Sequence, residues 1–241
     1  MGDLHLTIDL LRAFEQGDVP ADSLARIGVA HLTGCPLCQD RLRTWRKERE
    51  AGDSPQRRLS RLLLIRGADG VPRQRYEINR DARELLRLPH RERMNKIERS
   101  IHRFRGAMLA AVILRESRER MAVDPPDPVE ASGLAEVGQA ILRRTAAGPG
   151  VAALTALAAA YGGSALRATG QLEEAAARFE YARYLIQREK VGDPLVLAEV
   201  DACEATLARE LSRTEEAEAL HQRSTFLYML AGDRMRGAFV G

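Results

Sequence analysis

Four side chains near the amino terminus stand in the order His-x25-His-x3-Cys-x2-Cys: His5, His31, Cys35 and Cys38. An isolated pair of cysteines with two residues between them, set just after a histidine, binds metal or works in redox chemistry. One imidazole and two thiolates fill three corners of a tetrahedral structural zinc site, and His5 is the expected fourth ligand, with Asp3 or a water as the alternatives. Four protein ligands leave no open position, so the expected Zn2+ is structural and not catalytic.

The elements that would position these ligands are helical. Leu4, Ile8, Leu11 and Phe14 recur at helical spacing, with Gly17 as a stop, and this first helix carries His5 near its start. Pro20, Asp22, Leu24, Ile27 and His31 describe a second helix that ends at Gly34. Cys35, Pro36 and Cys38 then open a third, whose apolar face continues through Leu42 and Trp45. Both sulfurs thereby fall near a helix N-terminus, where the dipole favours thiolate. Three short helices bury little surface alone, and a metal cross-link supplies the missing stability.

The stretch from His5 to Gly17, followed by Ala30-His31-Leu-Thr-Gly-Cys35-Pro-Leu-Cys38, resembles the zinc-finger domain of zinc-binding anti-sigma factors. The resemblance covers residues 3–50. It implies a small helical bundle that holds zinc through these four residues and can grip a sigma factor. The motif is specific for the zinc fold and less so for sigma binding, because the same finger occurs with other C-terminal partners. In some relatives the thiols oxidise and release zinc, which makes a thiol redox sensor acting through Cys35 and Cys38 the second functional expectation. His5 in the place of a third cysteine weakens it.

Of the 241 residues 45% are hydrophobic and 29% charged, and aromatic content is only 5%, with abundant Ala, Leu, Arg and Glu. This balance indicates a globular, all-α chain. The longest apolar runs, 107–114 and 151–161, are shorter than the ~18 residues of a membrane span, so no membrane association is expected. No basic start, apolar stretch or cleavage site follows Met1, and three cysteines make no disulfide framework; a cytoplasmic location is expected. The net charge of +3 is unevenly spread, for residues 40–105 hold twenty Lys and Arg against ten Asp and Glu. That segment could meet nucleic acid or an acidic protein surface. Only Tyr76 and Phe104 interleave as aromatics there after Trp45, a poor stacking platform, so nucleic-acid binding ranks behind a protein partner.

Residues 51–80 look like a basic linker around one short helix at 59–65, bounded by Ala-Gly-Asp-Ser-Pro55 and Gly67-Ala-Asp-Gly-Val-Pro72. Beyond residue 80 the pattern is steadily helical. The spacing of Met94, Ile97, Ile101, Phe104, Met108, Ala111 and Leu114 predicts one long helix to about Ala122, and another is expected from about Pro128 to Arg144. In residues 156–190, Gly163, Gly170, Leu172, Ala175, Phe179 and Ala182 fall at the separations of a helical hairpin repeat: small residues where helices cross, a glycine turn, then an aromatic on the second helix. Arg213-Thr-Glu-Glu-Ala217 repeats Leu172-Glu-Glu-Ala175, with Phe226-Leu227 answering Tyr184-Leu185 and Gly232-Asp233 answering Gly192-Asp193. A weaker copy precedes both. Residues 81–241 thus resemble tetratricopeptide-repeat (TPR) proteins, although the period exceeds their usual ~34 residues. The resemblance implies an α-solenoid of antiparallel hairpins that binds protein segments.

No catalytic constellation is visible. The glycines at 148–150 and 162–163 neither follow a strand nor precede Lys-Ser/Thr, and His90, His102 and His221 stand far apart. The chain is therefore expected to be a non-enzymatic, zinc-binding regulator or adaptor: a zinc domain at 1–50, a linker at 51–80 and TPR-like repeats at 81–241, with a protein partner for which a sigma factor is the sharpest candidate.

Overall fold

The protein is all-α: every regular element among the described residues is a helix. The computed structural model describes Thr7, residues 35–51, 72–100 and 102–231. The expected helices of residues 4–34 and 59–65, and Gly232-Asp233, lie outside them. Nine helices are described: α1 (Pro36–Ala51), α2 (Pro72–Leu86), α3 (His90–Arg99), α4 (Ala107–Ala122), α5 (Pro128–Arg143), α6 (Pro149–Ala168), α7 (Leu172–Arg188), α8 (Pro194–Glu210) and α9 (Thr214–Ala231). The chain divides into two compact units, residues 55–185 and residues 1–54 together with 186–241. Pro72 opens a helix that runs through residue 80, the expected start of the repeat half.

In the first unit, short turns stop and restart the helices. Arg93, 3% exposed, donates Nε to the carbonyl of Leu85 at 3.0 Å and Nη2 to that of Leu86 at 3.3 Å. These are carbonyls of the last turn of α2, which have no partner inside their own helix. Its Nη2 also pairs with Glu130 Oε1 on α5 at 2.5 Å. One guanidinium thereby satisfies a helix end and ties α2, α3 and α5 together, with a geometry a lysine could not reproduce.

The long helix expected up to Ala122 is two helices. The chain is not helical at Ser100 or over residues 102–106, with Phe104 at φ +54° and Gly106 at φ +114°. The cause is tertiary. Arg144 donates to the carbonyl of Ser100 at 2.6 Å, and the amide of Gly106 donates to Thr145 Oγ1 at 2.9 Å, so the end of α5 supplies the broken helix with partners. Phe104 remains fully inside, in a core that also holds Leu85, Ile97, Ile113, Leu114 and Leu134.

Asp127 caps α5 by accepting the amide of Glu130, and Pro128 takes the first helical position. The crossing of α4 and α5 depends on Gly138, where a Cβ would lie 2.7 Å from Leu114 Cδ2. Ser117, buried beside it in α4, donates to the carbonyl of Ala131. Gly150–Ala168 is long and apolar enough, by length and composition, to cross a membrane, and 61% of it is buried inside the structure as a core helix would be. At the α6–α7 crossing a Cβ on Gly163 would come within 3.2 Å of the Phe179 ring, which is the close approach expected from the sequence spacing.

The second unit contains α1 and the hairpin α8–α9. Asp193 Oδ1 caps α8 by accepting the amide of Leu195 at 2.9 Å, and Pro194 follows at the first helical position. Asp201, with 0% exposure, receives two hydrogen bonds of 2.6 Å from Arg223, and Tyr228 donates to Glu199 at 3.0 Å. Ser224 donates to the carbonyl of Ala198. These bonds join residues 198–201 of α8 to residues 223–228 of α9 and tie the two helices of the hairpin together.

The turns repeat. At the end of α6 the amide of Gln171 donates to Leu166 O and that of Gly170 to Arg167 O. At the end of α8 the amide of Arg213 donates to Ala208 O and that of Ser212 to Arg209 O. Each donor and acceptor of the second turn stands forty-two residues after its counterpart, and Gly170 and Ser212 both have positive φ. This is the helix C-terminal motif that closes orphan carbonyls through a left-handed residue.

Candidate metal centre

Cys35 and Cys38 lie at the start of α1, as the sequence pattern requires. Cys35 precedes Pro36, and its carbonyl accepts the amide of Gln39 at 3.1 Å, so it stands at the N-cap position and Cys38 falls within the first turn. Cys38 is fully buried and continues into the buried face of Leu42 and Trp45, whereas Cys35 is half-buried. The unsatisfied amides of a first helical turn carry partial positive charge, which favours the thiolate form that binds metal. A pair of soft sulfur donors in this position fits zinc. His5 and His31 lie outside the described residues. Among the described residues no group of three or more His, Cys, Asp or Glu side chains is placed to hold a metal ion.

The remaining histidines and the third cysteine are not gathered. His90 Nε2 lies 3.3 Å from Glu136 Oε2, with its ring against Gly133, while His102 is exposed and His221 is half-buried on α9. Cys203 is half-buried on α8.

The basic middle of the chain contains an ion-pair network that sequence spacing did not indicate. Asp81 on α2 accepts two hydrogen bonds from Arg103, the shorter at 2.6 Å, and Glu84 pairs with Lys96 Nζ at 2.5 Å and with Arg103. The Lys96 hydrogen bond, reinforced by Arg103 and opposed by burial, holds the Glu84 carboxyl below its ordinary range. Asp81, through its hydrogen bond, and Glu84 beside it raise the pKa of Arg103, whose guanidinium also sits 4.5 Å from the centre of the Phe104 ring. Arg103 lies in the broken segment between α3 and α4, so its pairing with α2 comes from the tertiary fold and not from helical spacing.

Next to the network, Asn79, Arg80, Arg83, Glu84, Arg87 and Leu88 line an open groove of about 670 Å³. Arg80 and Arg83 on α2 and Arg87 just beyond its end are exposed. Comparison of the chain with protein-family models, with curated proteins and with solved structures finds no match.

Proposed function

We propose that the protein is a zinc-stabilised regulator or adaptor that acts by holding a protein partner. His5, His31, Cys35 and Cys38 bind one structural zinc, which cross-links the helices of residues 1–50 when bound. The observation that carries this reading is the Cys-x2-Cys pair at the first turn of α1, with Cys38 buried and Cys35 at the N-cap. Proline at the first helical position sets the helix start between the two sulfurs without requiring the metal.

The hairpins α6–α7 and α8–α9 are each TPR-like, a reading supported by the forty-two-residue repetition of their turn hydrogen bonds and by the small residue at the α6–α7 crossing. Such hairpins hold extended or helical segments of other proteins through side-chain packing and charge. The protein works in the cytoplasm, has no catalytic role, and takes a sigma factor as the partner best matched to the resemblance of residues 3–50. Co-purification of the full chain from its own cells tests the partner: recovery of a sigma factor in stoichiometric amount supports it, and recovery of unrelated proteins alone rejects it.

A thiol switch is the second reading, favoured by the accessibility of Cys35 at a helix N-terminus. Mild peroxide would then release zinc and melt helix; retention of metal under that treatment discards the switch while leaving the structural site intact.

A further inference from the structure

Arg80 and Arg83 on α2, and Arg87 in the turn that follows Leu86, all line the same open groove. Residues 80 and 83 are neighbours on the surface of the helix, and Arg87 follows one residue beyond its end. Of the acidic groups beside them, Asp81 and Glu84 are already engaged. Asp81 is shared by Arg80 at 3.3 Å and Arg103 at 2.6 Å, and Glu84 is taken by Lys96 and Arg103. The groove itself is lined by three arginines and one carboxylate, and among the described residues Arg83 and Arg87 have no ion-pair partner.

Two features decide what class of anion fits. Among the described residues no aromatic side chain lines the groove, so unstacked bases have no platform. The Leu88 side chain forms part of its wall and offers an apolar contact, which a protein segment can use and a phosphodiester chain cannot. We propose that this groove docks an acidic amphipathic helix of a partner protein, whose carboxylates at i, i+3 and i+7 match the three arginines and whose apolar side chain meets Leu88. Three arginines beside one carboxylate give the groove the charge that such a helix complements. The surface does not depend on zinc, and its failure leaves the metal reading untouched.

The test uses the full chain and a fluorescein-labelled synthetic helical peptide of about 20 residues with Glu at those positions and Leu beside them. Fluorescence anisotropy at low salt should show binding, and the variant R80E/R83E/R87E should weaken it by about tenfold or more. The charge-matched control R143E/R209E/R213E should bind like the wild type, and R80K/R83K/R87K should lose less than the reversal. If the triple reversal does not fold, as judged by circular dichroism, R83E and R87E singly carry the same test, because both side chains are exposed. Equal loss in the control, no effect of the reversals, or no binding by the wild type overturns the proposal. So does arginine-dependent binding of single-stranded oligothymidine in place of the peptide.

Discussion

Gly170 and Ser212 adopt the same left-handed turn at corresponding ends of α6 and α8, forty-two residues apart and with matching hydrogen bonds. Glycine takes this conformation without steric cost, whereas a serine Cβ is crowded there. Ser212→Gly should therefore stabilise the protein by about 0.5–1 kcal/mol, and Gly170→Ala should destabilise it by a similar amount. Denaturant unfolding of both variants checks the pair; loss of stability in Ser212→Gly would contradict the shared geometry.

Gly138 and Leu114 make the α4–α5 crossing. A methyl group at residue 138 would lie 2.9 Å from Leu114 Cγ, closer than packed carbons tolerate. Alanine gains about 1 kcal/mol of helix propensity over glycine, and overpacking costs about 1–3 kcal/mol, so the clash wins. Gly138→Ala should lower stability by about 1 kcal/mol. In a Leu114→Ala background the same change should become neutral or favourable, because the opposing side chain is gone. Additive effects in this double-mutant cycle would refute the contact.

Asp201 and Arg223 are held together by two short hydrogen bonds inside the α8–α9 hairpin, with Asp201 shut off from solvent. Removing one member of a buried pair leaves the other uncompensated. Asp201→Ala should cost about 3 kcal/mol, the lower end of the range because the Arg223 side chain keeps 27% of its exposure. Asp201→Ala and Arg223→Ala should be strongly non-additive in thermal unfolding.

Glu84 should make stability depend on acid. Its folded pKa lies below the ordinary carboxylate value, chiefly through Lys96, so its contribution is complete above the unfolded value near ~4.3 and fades as pH falls through the folded one. The stability gap between wild type and Glu84→Gln should thus be widest at neutral pH and close below about pH 4. A gap that stays constant across this range would mean that the carboxylate charge contributes nothing.

The sequence made the helical class legible wherever periodicity and caps agreed. Pro128 and Arg144 bracketed α5 to within one residue, because proline at the first turn and aspartate before it are local signals. Gly163 and Phe179 were legible as a crossing because small and aromatic residues at fixed offsets have one common use. The break between α3 and α4 was not, since its partners Arg144 and Thr145 lie about forty residues on and the apolar spacing passes through Phe104 without interruption. Asp201 and Arg223 were missed for the same reason: each looks locally like an ordinary charged helix position, and only pairing across the hairpin makes one of them buried. In the candidate site, the two cysteines stand at a helix start as their spacing required. The position of Tyr184 against Phe226 differs between copies, exposed in one and buried in the other, so the repeat is a matter of turns and crossings more than of surfaces.

The central claim is that one zinc ion is shared by His5, His31, Cys35 and Cys38. Elemental analysis of the purified full chain, alongside Cys38→Ser and His31→Ala, tests it most directly. One zinc per chain in the wild type, lost in both variants with part of the helical signal, is the expected result. A wild-type sample without stoichiometric metal, or variants that retain it in full, contradicts the account.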